Sequence, residues 1–413
     1  MKHIILILLA ALLFSCGNNN NKTLVEKGEY DFNNDTVFSW FYRTSPLVRN
    51  GFRIFLDEIK ALAPSEKQAF ALDFLEKQTR VPLIESDTIV HFLYWGKTDS
   101  VFVAGDATGW APTQKMKNIN GTDLWFATAT YPSDTRIEYK IVVNGSTWQL
   151  DSLNKQTVMG GMGENSELTL PAYQKPLFIV EIDSVPKGTY FDQYIQSNYL
   201  NEKRKFRVYL PPGYENSTEK YPVIMFHDGI QFFEMTSSFN TLNNLIYQNK
   251  IQPFIAVFID PVQRDDEYSG SLQENYTNFI TEELTAYMDS AYRTIPDANE
   301  RAQIGISNGG NISLWIVASH PENFLKVAAL SSNVQDKINT EFEKDQNAQF
   351  KIYLLKSKYE LPVLIPRINK LEKTISKINC EVLICEYPEG HNWAFWQKHL
   401  PEALEFLFPA ESH

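Results

Sequence analysis

The sequence predicts an α/β protein in which a mainly parallel, helix-covered sheet follows a small β-sandwich and a helical lead-in. Three observations predict it. Short apolar runs alternate with helix-like patterns from residue 174 to residue 413. Alternating or apolar runs between Gly, Asn, Asp and Pro turns fill residues 88–173. Gly305-Ile306-Ser307-Asn308-Gly309 joins a strand pattern directly to a helix pattern.

The chain has 413 residues, 43% of them hydrophobic and 13% aromatic, enough for two or three domains with buried cores. A net charge of −12, with no basic patch in the sequence, argues against nucleic acid, whose phosphates demand one. Residues 1–22 form the first segment. Lys2 and His3 precede an apolar run, Ile4 to Phe14, that is too short to span a bilayer and suits a secretory signal. It ends in Leu13-Phe14-Ser15-Cys16-Gly17, which resembles the lipobox of bacterial lipoproteins. That resemblance implies lipidation at Cys16 and a protein exported and anchored to a bacterial membrane, periplasmic or at the cell surface, with Asn18 to Asn21 as a polar tether.

Residues 23–87 read as a helical lead-in, with Phe52, Phe55, Leu56, Ile59 and Leu62, then Phe70, Leu72, Phe74 and Leu75, at helix-like spacing. In residues 88–173 the strands are expected at Ile89–Tyr94, Ser100–Gly105, Trp125–Thr128 and Glu138–Val143. Val103 to Asp106, Gly109-Trp110, Tyr139-Lys140, Asn144-Gly145 with Trp148, and Asp151 to Asn154 resemble the early-set immunoglobulin-like module of glycogen-branching enzymes. The resemblance implies sugar contacts at Trp110, Lys140, Trp148 and Asn165; the same tryptophans equally suit core or interdomain filling.

In residues 174–413 strands are expected at Phe206–Leu210, Val223–Phe226, Phe254–Ile259, Ala302–Ile306, Val327–Leu330, Ile352–Leu355 and Val382–Cys385. Helical patterns lie between most of them, including Tyr276–Tyr292 and Asn311–Ser319. A site then belongs at the carboxyl ends of the strands. A serine on a tight strand-to-helix turn is forced into a strained backbone, and side chains two positions either side would collide, hence Gly305 and Gly309. With a late histidine, this is the layout of an α/β-hydrolase nucleophile elbow and its base. The Asn308 amide would be one oxyanion donor.

Of the seven histidines, His391 alone follows the last strand in a Gly-containing loop, so it is the expected base. Glu360, after the Ile352–Leu355 strand, and Asp336, after the preceding one, compete as the acid that orients it. The second oxyanion donor is sought in His227-Asp228-Gly229-Ile230-Gln231, with the amide of Ile230 first and that of Gln231 second. Arg264 is either a contact for an anionic substrate or the partner of Glu267. Cys380 and Cys385 are read as buried thiols on one strand. No Cys or His spacing supports a metal mechanism, and no cofactor is expected.

Taken along its length, the exported portion resembles the enterochelin (enterobactin) esterases. The pieces are Val81 to Glu85, Gly121 to Trp125, His227-Asp228-Gly229, Arg264 with Glu267, Gly305-x-Ser307-x-Gly309-Gly310, Glu360 before Pro362, and Gly390-His391 with Trp396. The resemblance implies a triad of Ser307, Glu360 and His391, favouring Glu360 over Asp336, and substrate contacts at Arg264, Trp393 and Trp396. It implies hydrolysis of a siderophore or related aryl or acyl ester. The esterase portion also resembles feruloyl and acetyl-xylan esterases, which keeps a polysaccharide-linked ester open. A glycan-binding lipoprotein without catalysis is the alternative of another class.

Overall fold

Residues 51–344 and 348–410 are described by a computed structural model, within the compact unit Arg49–His413. The signal, Cys16, the tether and the lead-in before residue 51 lie outside the described residues.

Two helices open the described chain, Gly51–Ala61 and Pro64–Glu76. Phe52, Phe55 and Ile59 recur every three to four residues and bury one face; Phe55 stacks on Phe74 with ring centroids 3.9 Å apart. The sandwich follows as β1 (Leu83–Glu85), β2 (Ile89–Trp95), β3 (Val101–Gly105), β4 (Gln114–Lys115), β5 (Lys117–Asn118), β6 (Leu124–Thr130), β7 (Arg136–Val143), β8 (Thr147–Gln149), β9 (Thr157–Gly160) and β10 (Gly163–Thr169). Leu83–Glu85 falls within the expected helical lead-in. It is instead an edge strand, because Ser86 and Asp87, with φ of 51° and 62°, turn the chain tightly back so that Glu85 pairs with Ile89.

On β7, Ile137, Tyr139 and Ile141 fill the sandwich core, and the alternate residues Arg136, Glu138 and Lys140 face the other way.

The second half contains β11 (Thr189–Ser197), β12 (Glu202–Leu210), β13 (Val223–His227), β14 (Ile255–Ile259), β15 (Arg301–Ile306), β16 (Lys326–Leu330), β17 (Phe350–Tyr359) and β18 (Cys380–Gly390). Their order is 11-12-14-13-15-16-17-18. The first two strands pair antiparallel and β12 meets β14 antiparallel; from β14 to β18 all pairs are parallel. Strands β13, β14 and β15 are buried along their whole length, as a sheet covered on both faces requires. This is the α/β-hydrolase fold. The edge strand β11 went unread because its residues alternate between exposed and half-buried. At the other edge, β18 pairs parallel with β7 of the sandwich through Glu389 and Arg136, so one sheet runs through both halves.

Candidate active site

Ser307 is the single residue between β15 and the helix Asn308–Ser319. Its φ of 54° and ψ of −116° are the strained conformation that a direct strand-to-helix turn imposes. Gly305 is sterically obligatory, because the atoms that a side chain there would meet are backbone, and Gly309 and Gly310 lie close against neighbouring side chains. A Cβ at Gly305 would lie 2.1 Å from the Gly309 carbonyl oxygen, one at Gly309 2.9 Å from Asp228 Oδ2, and one at Gly310 1.9 Å from Ser332 Oγ. The Ser307 amide donates to the Leu330 carbonyl at 2.9 Å, fastening the elbow to β16. As the first helical residue, Asn308 carries an amide with no acceptor in its own helix, which suits it to an oxyanion. Its side chain is tied to Asp265 and Ser269.

His391 Nδ1 lies 2.6 Å from Glu360 Oε1, which also accepts from the Leu361 amide at 2.9 Å. A carboxylate only accepts, so the proton sits on Nδ1 and Nε2 keeps the lone pair that a general base uses. Asp336 is placed elsewhere: its side chain is 80% exposed and holds Lys370 at 2.8 Å. The other described histidines are engaged too. His227 is fully buried between Tyr276 and Gln303, and burial lowers its pKa to about 3, which keeps it neutral. His91 pairs with Glu85, His320 with Glu322 and His399 with Glu389.

The structure corrects several assignments. The Ile230 amide, expected as an oxyanion donor, donates to Asp260 Oδ1 at 2.7 Å. Gly229, at φ 44°, lets Asp260 approach so closely that a Cβ there would lie 1.9 Å from its carboxylate. Arg264 does not pair with Glu267. It grips Asp228 with Nε and Nη2 at 2.6 and 2.9 Å, while Glu267 is held by Arg204 at 2.7 and 2.8 Å. Because Asp228 neutralises Arg264, a substrate anion meets a weakened charge there.

Trp393 and Trp396 are buried, 8% and 5% exposed, so they pack as core rather than offer an open face. Trp396 meets the His391 ring edge-on at 4.9 Å. Among the proposed sugar contacts, Asn165 is buried and its amide donates to Glu138 at 2.7 Å; the half-buried Trp110 donates its indole N–H to Asp106 at 3.1 Å. Lys140 is half-buried, and Trp148, 42% exposed, is the open aromatic face of the four. Cys380 and Cys385 are not joined in a disulfide and are half-buried rather than buried; Cys380 Sγ donates to the Ile375 carbonyl at 3.2 Å and Cys385 Sγ to Glu402 Oε1 at 3.3 Å.

Sequence reasoning missed Asp260, Asp106, Arg136 and Asn392. Only Asn392 carried a signal, as an N-cap residue before the last helix pattern, Trp393–Leu407; its side chain accepts from the Phe395 amide. Among the described residues no group of three or more His, Cys, Asp or Glu is arranged to hold a metal ion.

Residues 197–407, just over half of the chain, match the family model described as "Putative esterase". Among curated proteins the chain is similar to an endo-1,4-beta-xylanase/feruloyl esterase of Xylanibacter ruminicola, 25% identical over 346 residues that make up 79% of this chain and 46% of that one. It is also similar to the uncharacterized protein YbbA of Bacillus subtilis, 26% identical over 151 residues, 33% of this chain and 60% of that one. The chain thus spans less than two thirds of either relative. Among solved structures, the ferric enterobactin esterase of Salmonella typhimurium superposes with a TM-score of 0.65 at 18% identity, covering 81% of this chain and 98% of that one. The enterobactin esterase of Shigella flexneri in the presence of enterobactin gives 0.63 at 18%, covering 81% and 97%. At that identity the likeness concerns the fold.

Proposed function

The chain belongs to this esterase family, and on that premise we propose that it is a carboxylic ester hydrolase that works through Ser307, His391 and Glu360. The observation that carries the proposal is the 2.6 Å bond from His391 Nδ1 to Glu360, on the loops that follow β18 and β17.

Ser307 Oγ attacks the ester carbonyl as His391 Nε2 takes its proton; Glu360 stabilises the imidazolium that forms. The tetrahedral oxyanion is received by the amides of Asn308 and Gln231, the second taking the place of the engaged Ile230 amide. Each such donor is worth about 2.7–4 kcal/mol in the transition state. Collapse expels the alcohol, which leaves with the proton from His391. Water, activated by the same nitrogen, then attacks the acyl-serine and releases the acid and Ser307.

For the substrate we put a siderophore-type or related aryl or acyl ester first, in keeping with the fold shared over 98% of the ferric enterobactin esterase. A second reading, an aromatic or acetyl ester carried on a polysaccharide, is favoured by the similarity to the xylanase/feruloyl esterase over 79% of the chain. Steady-state hydrolysis of a catecholate trilactone, a methyl ferulate and an acetylated xylan separates them. Trilactone turnover with a kcat/KM at least a hundredfold above the others supports the first. Preference for the ferulate or the xylan moves the assignment to the second. Membrane anchoring through Cys16 is proposed from the sequence and is tested by metabolic labelling with a fatty-acid analogue.

A further inference from the structure

Only His391 and Asn392 separate the end of β18 at Gly390 from the start of the last helix at Trp393. The β-sandwich holds this connection on both sides of the histidine. Before it, Glu389 pairs with Arg136 of β7, and Gly390 lies so close to Asp106 that a Cβ there would sit 1.9 Å from its carboxyl carbon. After it, the Asn392 amide donates to Asp106 Oδ2 at 2.8 Å, and its carbonyl oxygen accepts from Arg136 Nη1 at 2.6 Å.

Asp106 and Arg136 are themselves fixed from within the sandwich. Asp106 accepts from the Glu138 amide at 2.7 Å and from Trp110; Arg136 donates to Glu138 at 2.9 Å and Glu167 at 2.8 Å. The same module touches the acid's loop. Tyr131 packs edge-on to Tyr359 at 5.9 Å, and a Cβ at Gly109 would lie 2.8 Å from Pro362. These two residues flank Glu360.

We infer that the β-sandwich positions the acid–base pair of the esterase, with Asp106, Arg136 and Asn392 as positioning residues for His391. The inference rests on the triad proposed above. Burying an arginine and two carboxylates in this junction carries a desolvation cost that apolar side chains of equal volume would avoid. What the polar set supplies is direction: two bonds to the one residue that follows His391, and close backbone contact at the one that precedes it. A shift of about 1 Å in a reacting group costs on the order of a hundredfold in rate.

The test uses the full chain. Asn392→Asp keeps the oxygen that caps the helix and meets Arg136 but sets an acceptor against Asp106. Asn392→Ser retains a good helix cap and reaches neither partner, so it covers the case in which the first variant does not fold. Each is assayed on 4-nitrophenyl acetate, with the downfield proton resonance of His391 Nδ1–H followed by NMR, alongside Ser307→Ala. The expected result is a kcat lowered 10- to 100-fold with KM within twofold, a cooperative melt, and a shifted or broadened resonance. A folded variant with kcat within twofold of the parent and the resonance unmoved would overturn the inference, as would a loss carried wholly by KM. If Ser307→Ala remains active, the triad fails and the inference with it. If Ser307→Ala is inactive and the Asn392 variants are not impaired, only the inference fails.

Discussion

Replacing Glu360 by Gln exchanges a carboxylate for an amide of the same shape at the position that faces His391. Glu360 and His391 side chains are 2% and 12% exposed and their bonded atoms lie 2.6 Å apart. At an effective dielectric of about 20, an imidazolium and a carboxylate at that distance attract by about 6 kcal/mol. The amide oxygen still accepts the Nδ1 proton and keeps part of this, so the loss in the transition state is about 3–4 kcal/mol, or roughly 10²- to 10³-fold in kcat. Asp336→Asn is the control, because its exposed side chain is held by Lys370, away from His391, and should change turnover less than twofold. The assay is kcat and KM on a soluble nitrophenyl ester, with a melting curve for each variant. A Glu360→Gln enzyme that folds and keeps kcat within tenfold of the parent would refute the reasoning, and a larger loss in Asp336→Asn would transfer the acid's role.

Gly305→Ala should destabilise by at least the upper end of the roughly 1–3 kcal/mol typical of overpacking, since its Cβ would meet the Gly309 oxygen at 2.1 Å; chemical denaturation checks this. His227, with a folded pKa lowered to about 3 against 6.5 unfolded, leaves the unfolded chain binding more protons between those values. Stability should therefore fall as pH drops below about 6.5, by up to about 1.4 kcal/mol per unit, and His227→Gln should flatten that slope in urea titrations from pH 7 to 4. Trp148→Ala should leave small-ester turnover unchanged, whereas Trp110→Ala, which removes a bond to Asp106, should lower kcat severalfold. Retention of the parent on insoluble xylan that is lost in Trp148→Ala would establish a sugar contact there.

What could be read in the sequence was governed by local sterics and strand order. The glycines around Ser307 announce the elbow because the turn crowds those positions, and His391 stands out because it follows the last strand. Contacts between distant segments were not legible. Nothing near Ile230 tells that Asp260, thirty residues on, captures its amide, nor that Arg264 closes on Asp228 instead of Glu267. Both Glu360 and Asp336 follow strands at the correct end of the sheet, so strand position does not separate them; the family resemblance favours Glu360, and its contact with His391 agrees. Trp110 and Asn165 read as sugar contacts because an aromatic and an amide on a sandwich are ambiguous until their partners are known, and those partners, Asp106 and Glu138, belong to the junction with the esterase half.

The central claim is that Ser307 is the nucleophile, and covalent labelling tests it most directly. The purified protein is titrated with a fluorophosphonate while residual ester hydrolysis is followed, and the adduct is located by peptide mass spectrometry. The account predicts one label per chain, on Ser307, with hydrolysis lost in proportion to labelling and no adduct in Ser307→Ala. An adduct on a different residue that tracks the loss of activity, or full labelling of Ser307 with hydrolysis intact, would contradict it.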